Sequence, residues 1–130
     1  VIVVDASIAL DVALATSDGR VLQARIETDG RPLAAPELID LEVLQALRRQ
    51  LRLGRFDPGR AKTALGIFGE LSIERFSHLP LRPRIWALRD NLTSYDGAYF
   101  ALAEVLDAPL WTRDGKYMSV PGHAARIEVL

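Results

Sequence analysis

Four acidic residues, Asp5, Glu42, Asp96 and Asp114, stand at positions where carboxylates could do chemistry. Asp5 closes the apolar run Val1–Val4. Asp96 falls three residues after Thr93; with Thr93 as N-cap it is the third helical residue, where free backbone N–H groups and the helix dipole favour an ionised carboxylate. Asp114 follows Leu110-Trp111-Thr112, and ligand crevices form at the carboxyl ends of strands in a parallel sheet. Glu42 lies between Leu38 and Ala46 at the margin of a helix's apolar arc, so its side chain is expected to point along the protein body.

Each acid also has an ordinary reading. Asp96 alone reads as a capping-box carboxylate, Asp114 before Gly115 as a turn starter, and Asp5 as a strand-end turn residue. Glu42 could be satisfied by Arg49, which lies nearly on its face. The coincidence of four favours a shared crevice. Acids gathered in one crevice repel, and without compensation some would hold protons near neutral pH. A hard divalent cation is the simplest compensation. Oxygen-only donors, two histidines and no cysteine point to Mg²⁺ or Mn²⁺ and away from zinc. Such an ion can activate a water and stabilise charge on a phosphodiester oxygen, so phosphodiester hydrolysis is the natural reaction class.

The elements that must carry these acids follow from pattern. Val1–Val4 is a continuous β-branched run, as in a strand buried on both faces. Ser7 can cap a helix over Ile8 to Leu14, and Thr16 can start another through about Ile26. A turn at Thr28–Pro32 feeds a strand at Leu33–Ala35; Pro36 then opens a long helix through about Leu53, closed by Gly54. Asp57-Pro58 opens a helix to about Glu70. Ile73–Leu79 reads as a strand, Pro83 to about Asp90 as a helix, the segment after Thr93 as a helix, and Pro109–Thr112 and Arg126–Leu130 as strands. Alternating strands and helices imply an α/β fold with a parallel sheet.

The length, 130 residues, suits one domain spanning 1–130. The chain is expected to lack only an initiator residue. Absence of cysteine fits a reducing compartment, and no apolar run reaches ~18 residues, so a soluble, cytoplasmic protein with no membrane partner is expected. A formal net charge of −1 gives no general attraction for nucleic acid, which leaves local patches to supply it. Arg48, Arg49, Arg52, Arg55, Arg60 and Lys62 form one basic cluster, either a solvated face or an electrostatic rim for a phosphate backbone; Arg113, Lys116 and Arg126 could extend that rim. Tyr95, Tyr99 and Phe100 could stack bases if exposed, although aromatics at helical spacing are more often core. Gly115-Lys116 lacks the surroundings of a phosphate-binding P-loop, no Gly-x-Ser-x-Gly elbow occurs, and His78 and His123 have no metal spacing. His78 reads as a satisfied or surface histidine.

Four segments carry a resemblance: VVDAS at Val3–Ser7, PELIDLEVLQALRR at Pro36–Arg49, NLTSYDGAYFALAE at Asn91–Glu104 and LWTRDGK at Leu110–Lys116. In this order they resemble the four acidic motifs of PIN-domain ribonucleases, and more narrowly the VapC toxins of bacterial, actinobacterial-type VapBC toxin–antitoxin pairs. The similarity covers nearly the whole chain.

The resemblance implies a PIN-like three-layer α/β/α fold with a central parallel five-stranded sheet in order 3-2-1-4-5. It implies a Mg²⁺- or Mn²⁺-dependent endoribonuclease cutting structured cellular RNA such as tRNA or rRNA. It implies a homodimer inhibited by a cognate VapB-type antitoxin, with DNA contacted only through that antitoxin. Carried over by position, Asp5, Glu42, Asp96 and Asp114 form the catalytic quartet, Asp5 and Asp96 as direct ligands, Glu42 and Asp114 through water or to a second ion. Ser7 and Thr112 supply nearby hydroxyls, and Arg48, Arg49, Arg52, Arg113 and Lys116 are candidates for RNA contact. Gly115, Lys116 and Tyr117 offer no further acid, which puts a fully ligated second metal site in doubt.

An antitoxin groove is expected between the helices at Ile8–Leu14 and Ala24–Ile26 and the Leu38–Phe68 helix pair, where Leu51, Leu53, Ile67 and Phe68 are many apolar side chains for surface helices. An antitoxin lying there is expected to deliver a cation into the acid pocket. The rivals are another metal-dependent phosphoryl-transfer enzyme and a catalytically silent PIN-like binding module. Phosphatases of the first kind open with Asp-x-Asp, where this chain has Asp5-Ala6-Ser7. The intact acids speak against the second.

Overall fold

A computed structural model describes residues 1–130. Five parallel strands, β1 (Ile2–Val4), β2 (Leu33–Pro36), β3 (Ile73–Phe76), β4 (Pro109–Thr112) and β5 (Arg126–Val129), form one sheet in the order 3-2-1-4-5. Six helices flank it: α1 (Ala6–Leu14), α2 (Ser17–Asp29), α3 (Ile39–Arg52), α4 (Pro58–Glu70), α5 (Arg82–Ala87) and α6 (Ser94–Val105). The central strands are wholly buried, as their unbroken apolar runs require, and the edge strands β3 and β5 are only partly so. α1 packs against α2, α3 and α4, while α6 packs against α5 and over β1, β2 and β4. Gly19 permits the α1–α2 approach: a Cβ there would lie 1.9 Å from the carbonyl oxygen of Asp11.

Strand order reverses at β1, whose neighbours are β2 and β4. Crevices open at the carboxyl ends of strands around such a reversal. Val4 pairs with Trp111, so Asp5 and Thr112 emerge side by side at the rim.

Several local expectations shift. Asp5, rather than Ser7, caps α1, accepting the Ile8 N–H; this leaves Ser7 inside the first turn with its hydroxyl free for other work. Pro36 ends β2 instead of opening α3, because it lies in register with Phe76 of β3, and the helix starts only at Ile39. The Leu38 N–H then donates to Nε2 of His78, which makes His78 a satisfied histidine just past a β3 shorter than expected. A short 3₁₀ turn at Leu79–Leu81 precedes α5. Thr16, Asp57 and Thr93 cap α2, α4 and α6 as expected.

Candidate active site

Three of the four acids sit at helix N-termini. Asp5 is the N-cap of α1, Glu42 lies in the first turn of α3, and Asp96 in the first turn of α6. The partial positive charge of each terminus offsets some of the cost of bringing carboxylates together. The three converge. Glu42 is pushed above the usual carboxylate range first by burial and further by the charges of Asp96 and Asp5, with a hydrogen bond from Tyr99 opposing. The Tyr117 phenol, raised mainly by burial and by its bond to Asp96, also feels Asp5 and Glu42.

Asp5 is 5% exposed and held from both sides by hydroxyls. Ser7 Oγ donates to its Oδ1 at 2.5 Å and Thr112 Oγ1 to its Oδ2 at 2.5 Å. Backbone donors fix the direction of both hydroxyls: Ser7 Oγ accepts the Arg113 N–H at 2.9 Å, and Thr112 Oγ1 accepts the Asp114 N–H at 3.0 Å. With their lone pairs so engaged, each hydroxyl proton turns to the carboxylate. Burial still dominates and raises the Asp5 pKa, while these hydrogen bonds pull it down. Ser7 and Thr112 are therefore where the sequence placed them, beside the acid.

Two phenols hold the other acids, and sequence reasoning missed both. Tyr99, buried in α6, donates to Glu42 Oε1 at 2.7 Å, and Tyr117 donates to Asp96 Oδ1 at 2.6 Å. Burial, then the acid partner, raises both phenol pKa values, so both hydroxyls stay protonated donors. A signal existed: a buried tyrosine, unlike a phenylalanine, needs a partner for its hydroxyl. Arg49, the ordinary alternative as a partner for Glu42, makes no ion pair with it, although both line one cleft of about 690 Å³ with Tyr95 and Arg55.

Asp114 lies two residues past Thr112, whose hydroxyl bonds Asp5 and accepts the Asp114 N–H. It is exposed, and its carboxylate accepts the Lys116 N–H at 2.9 Å, capping a 3₁₀ turn at Gly115–Ser119. No three acidic or histidine side chains stand close enough to one point to enclose a metal ion in this conformation. The donor set nonetheless suits a hard cation: it is all oxygen, its charges repel, and one oxygen each of Glu42 and Asp96 has no hydrogen-bond donor from the protein.

The basic rim divides. Arg48, Arg49 and Arg52 are exposed on α3 without acidic partners, and Lys116 is exposed and unpaired. Arg113 is a correction: its guanidinium pairs with Asp11 at 2.9 Å and Asp18 at 3.3 Å and donates to the Leu130 carbonyl at 2.6 Å, so its charge is neutralised within the fold. Arg126 is likewise paired, with Asp107. Of the three aromatics considered for stacking, Tyr95 is exposed while Tyr99 and Phe100 are core. Phe68 is also core, which removes it from the expected antitoxin groove.

A fold with acids at the switch point of a parallel sheet defines a class of α/β proteins with a polar, carboxylate-lined crevice, and comparison with known proteins identifies the family. No family model matches the chain. Ribonuclease VapC9 of Mycobacterium tuberculosis is 40% identical over 113 residues, covering 87% of this chain and 85% of that protein. Ribonuclease VapC12 of the same organism is 35% identical over 129 residues, covering 99% and 98%. Among solved structures, PAE2754 from Pyrobaculum aerophilum superposes with a TM-score of 0.73 at 25% identity, covering 98% of this chain and 82% of that one. VapBC2 from Rickettsia felis, bound to a DNA fragment from its promoter, matches in fold with a TM-score of 0.66 at 13% identity, covering 98% and 96%. The chain belongs to the VapC ribonuclease family.

Proposed function

We propose that this protein is a Mg²⁺- or Mn²⁺-dependent endoribonuclease, the toxin of a type II toxin–antitoxin module, which hydrolyses phosphodiester bonds of structured cellular RNA such as tRNA or rRNA. The observation that carries this reading is the hydrogen-bonded frame at the switch point of the sheet, where Tyr99 holds Glu42 three residues along α6 from Asp96 and Thr112 at the end of β4 holds Asp5. Asp5 and Asp96 would hold the ion directly, and Glu42 and Asp114 through water or at a second ion. The bound ion would supply Lewis acidity toward a water and a phosphodiester oxygen. Ser7 and Thr112 keep Asp5 oriented, and their hydrogen bonds oppose the upward pull of burial on its pKa. Glu42, held by Tyr99 at the edge of the cleft and with its pKa raised first by burial, is the proposed proton acceptor. Arg49 and Arg55, in the same cleft as Glu42, would meet the phosphate backbone, with Arg48, Arg52 and Lys116 adding charge around it.

A cognate VapB-type antitoxin is the proposed inhibitor. A groove of about 480 Å³, lined by Val12 and Ile26 together with Ile67 and Leu71, overlaps the region expected to receive it, although Leu51, Leu53 and Phe68 are not part of it. DNA would be reached only through that antitoxin. A homodimer is proposed across a second surface, a groove of about 830 Å³ beside the acid cleft where Leu41, Leu79, Trp86 and Tyr95 are exposed. Its lining carries one arginine, Arg82, and no acid, so two like surfaces can meet with little charge repulsion. No helix is long and apolar enough to cross a membrane.

The rival reading, a catalytically silent module, draws on one observation: the acids do not enclose an ion as they stand. Cleavage of total cellular RNA with and without Mn²⁺, with Asp96→Asn as control, decides between them. Ends mapped after controlled expression would name the target. Cleavage by the unaltered protein that needs the cation and vanishes in the variant supports the nuclease; no cleavage under either condition supports the silent module.

A further inference from the structure

Tyr95 is the one tyrosine that the fold leaves without a partner. Tyr99 and Tyr117 are buried, with their hydroxyls committed to Glu42 and Asp96. Tyr95, in the first turn of α6 and next in the chain to Asp96, is 68% exposed. It lines the cleft of about 690 Å³ that also holds Glu42, and much of that lining is one face of α3. Glu42, Gln45 and Arg49 follow at intervals of three and four residues, so they lie one above another along the helix. At about 1.5 Å per residue, Arg49 stands roughly 10 Å along the helix from the acid. Arg49 and Arg55 are exposed there without acidic partners.

We propose that Tyr95 stacks on one unpaired base of the RNA, next to the phosphate that is cut, while Arg49 and Arg55 take phosphates further along the strand. This role rests on the nuclease reading of the acid crevice given above. A nucleic-acid strand makes two demands: its phosphates need cations and its bases need flat apolar surface. The cleft presents both, the aromatic ring beside the acids and the cations beyond them. Stacking needs no sequence match, since every base has a π-face. Tyr95 also borders the larger groove, where Leu41 and Trp86 are exposed, so a second copy of the chain is the competing occupant. Charge favours RNA on the cleft side, whose lining carries two arginines and one acid; the larger groove has one arginine and is mostly apolar. A ring has two faces, and a copy seated in the larger groove can back one while the base takes the other.

Fluorescence anisotropy of the protein in chelator, which keeps the probes intact, compares two labelled strands. One is a short oligouridylate; the other has the same number of ribose phosphates and no bases. Tyr95→Ala is expected to weaken binding of the oligouridylate at least about fivefold, the lower bound for losing one base stack. The base-free strand should change by no more than about twofold, the scatter of an additive cycle. Tyr95→Phe keeps the ring and should stay within about twofold on both strands. Arg49→Gln should weaken both by the same factor and lower the salt slope of each by about one. Light scattering gives the mass of every variant.

Equal losses on the two strands for Tyr95→Ala, or no loss on either, would overturn the stacking role. Equal losses together with a fall in mass would assign the ring to a second copy instead. Tyr95→Phe as weak as Tyr95→Ala would overturn it too, because the hydroxyl and not the ring would then make the contact. Unaltered protein that binds neither strand would refute the RNA reading of the cleft and the stacking role with it. If Tyr95 discriminates the strands yet the protein cleaves no RNA with Mn²⁺, the nuclease reading fails while the stacking role stands.

Discussion

Tyr99→Phe deletes one oxygen from a site that is otherwise closed. The side chain is 1% exposed, its hydroxyl bonds Glu42 Oε1 at 2.7 Å, and the ring can remain where it packs. A hydrogen bond to a charged group contributes about 1.5–3 kcal/mol, and because Glu42 is only half-buried, water can reach part of the vacated space, which selects the lower end, about 1.5 kcal/mol. Unfolding entropy near ~2.1 cal/mol/K per residue over 130 residues converts this to a fall in Tm of about 5 °C. The loss should depend on pH. Once Glu42 is protonated the phenol faces a neutral partner, whose hydrogen bond is worth roughly half as much, so the fall should shrink to about 2–3 °C in acid. Thermal unfolding of the metal-free protein by circular dichroism at about pH 4 and about pH 8 reads both values; burial raises Glu42 above its ordinary range, so the acid condition protonates it. A fall of the same size at the two pH values, or none at pH 8, would show that the phenol does not hold an ionised Glu42.

Other outcomes follow from the same geometry. Asp96→Asn should reduce RNA cleavage at least about a hundredfold, as loss of a charge-stabilising group at a reacting centre does, with Tm unchanged or higher; retained cleavage with an intact cation requirement would remove Asp96 from the site. Burial leaves Asp5 and Glu42 with raised pKa values, so the folded state binds their protons more tightly than the unfolded chain. That advantage is complete below the ordinary carboxylate range and is lost as pH rises through the raised values. Glu104, lowered mainly by its hydrogen bond from Arg84, acts in the opposite sense only below that range. The Tm of the metal-free protein should therefore decline from about pH 5 to pH 8, and Mn²⁺ should reverse the decline; a flat profile would place the two acids in water. Gly19→Ala should cost at least about 1–3 kcal/mol by overpacking, since the new methyl meets backbone, and an unchanged denaturant midpoint would contradict the tight α1–α2 approach.

Most of the architecture was readable because it depends on local pattern. The unbroken β-branched run of β1, the Asp57-Pro58 start of α4 and the Thr93 cap of α6 each announce themselves within a few residues. What escaped depends on partners far away in sequence. Pro36 looks like a helix opener until β3 is placed beside it, and Ser7 looks like a cap until Arg113 claims its oxygen. The acids could be assigned to one crevice by counting helix turns and strand ends. The phenols that hold two of them could not, since Tyr99 and Glu42 are 57 residues apart and no periodicity links them. Arg113 was misplaced on the rim for a similar reason: it emerges at the end of β4, but Asp11 and Asp18 come from the α1–α2 arm to meet it.

The two tryptophans occupy opposite environments: Trp111 is sealed in β4 at 1% exposure, and Trp86 stands on α5 at 68%. Their emission should differ in colour and in access to soluble quenchers, giving an optical record of two separate events without any label. Loss of the blue, protected component tracks melting of the sheet. Protection of the red, accessible one tracks whatever comes to rest on the outer helix.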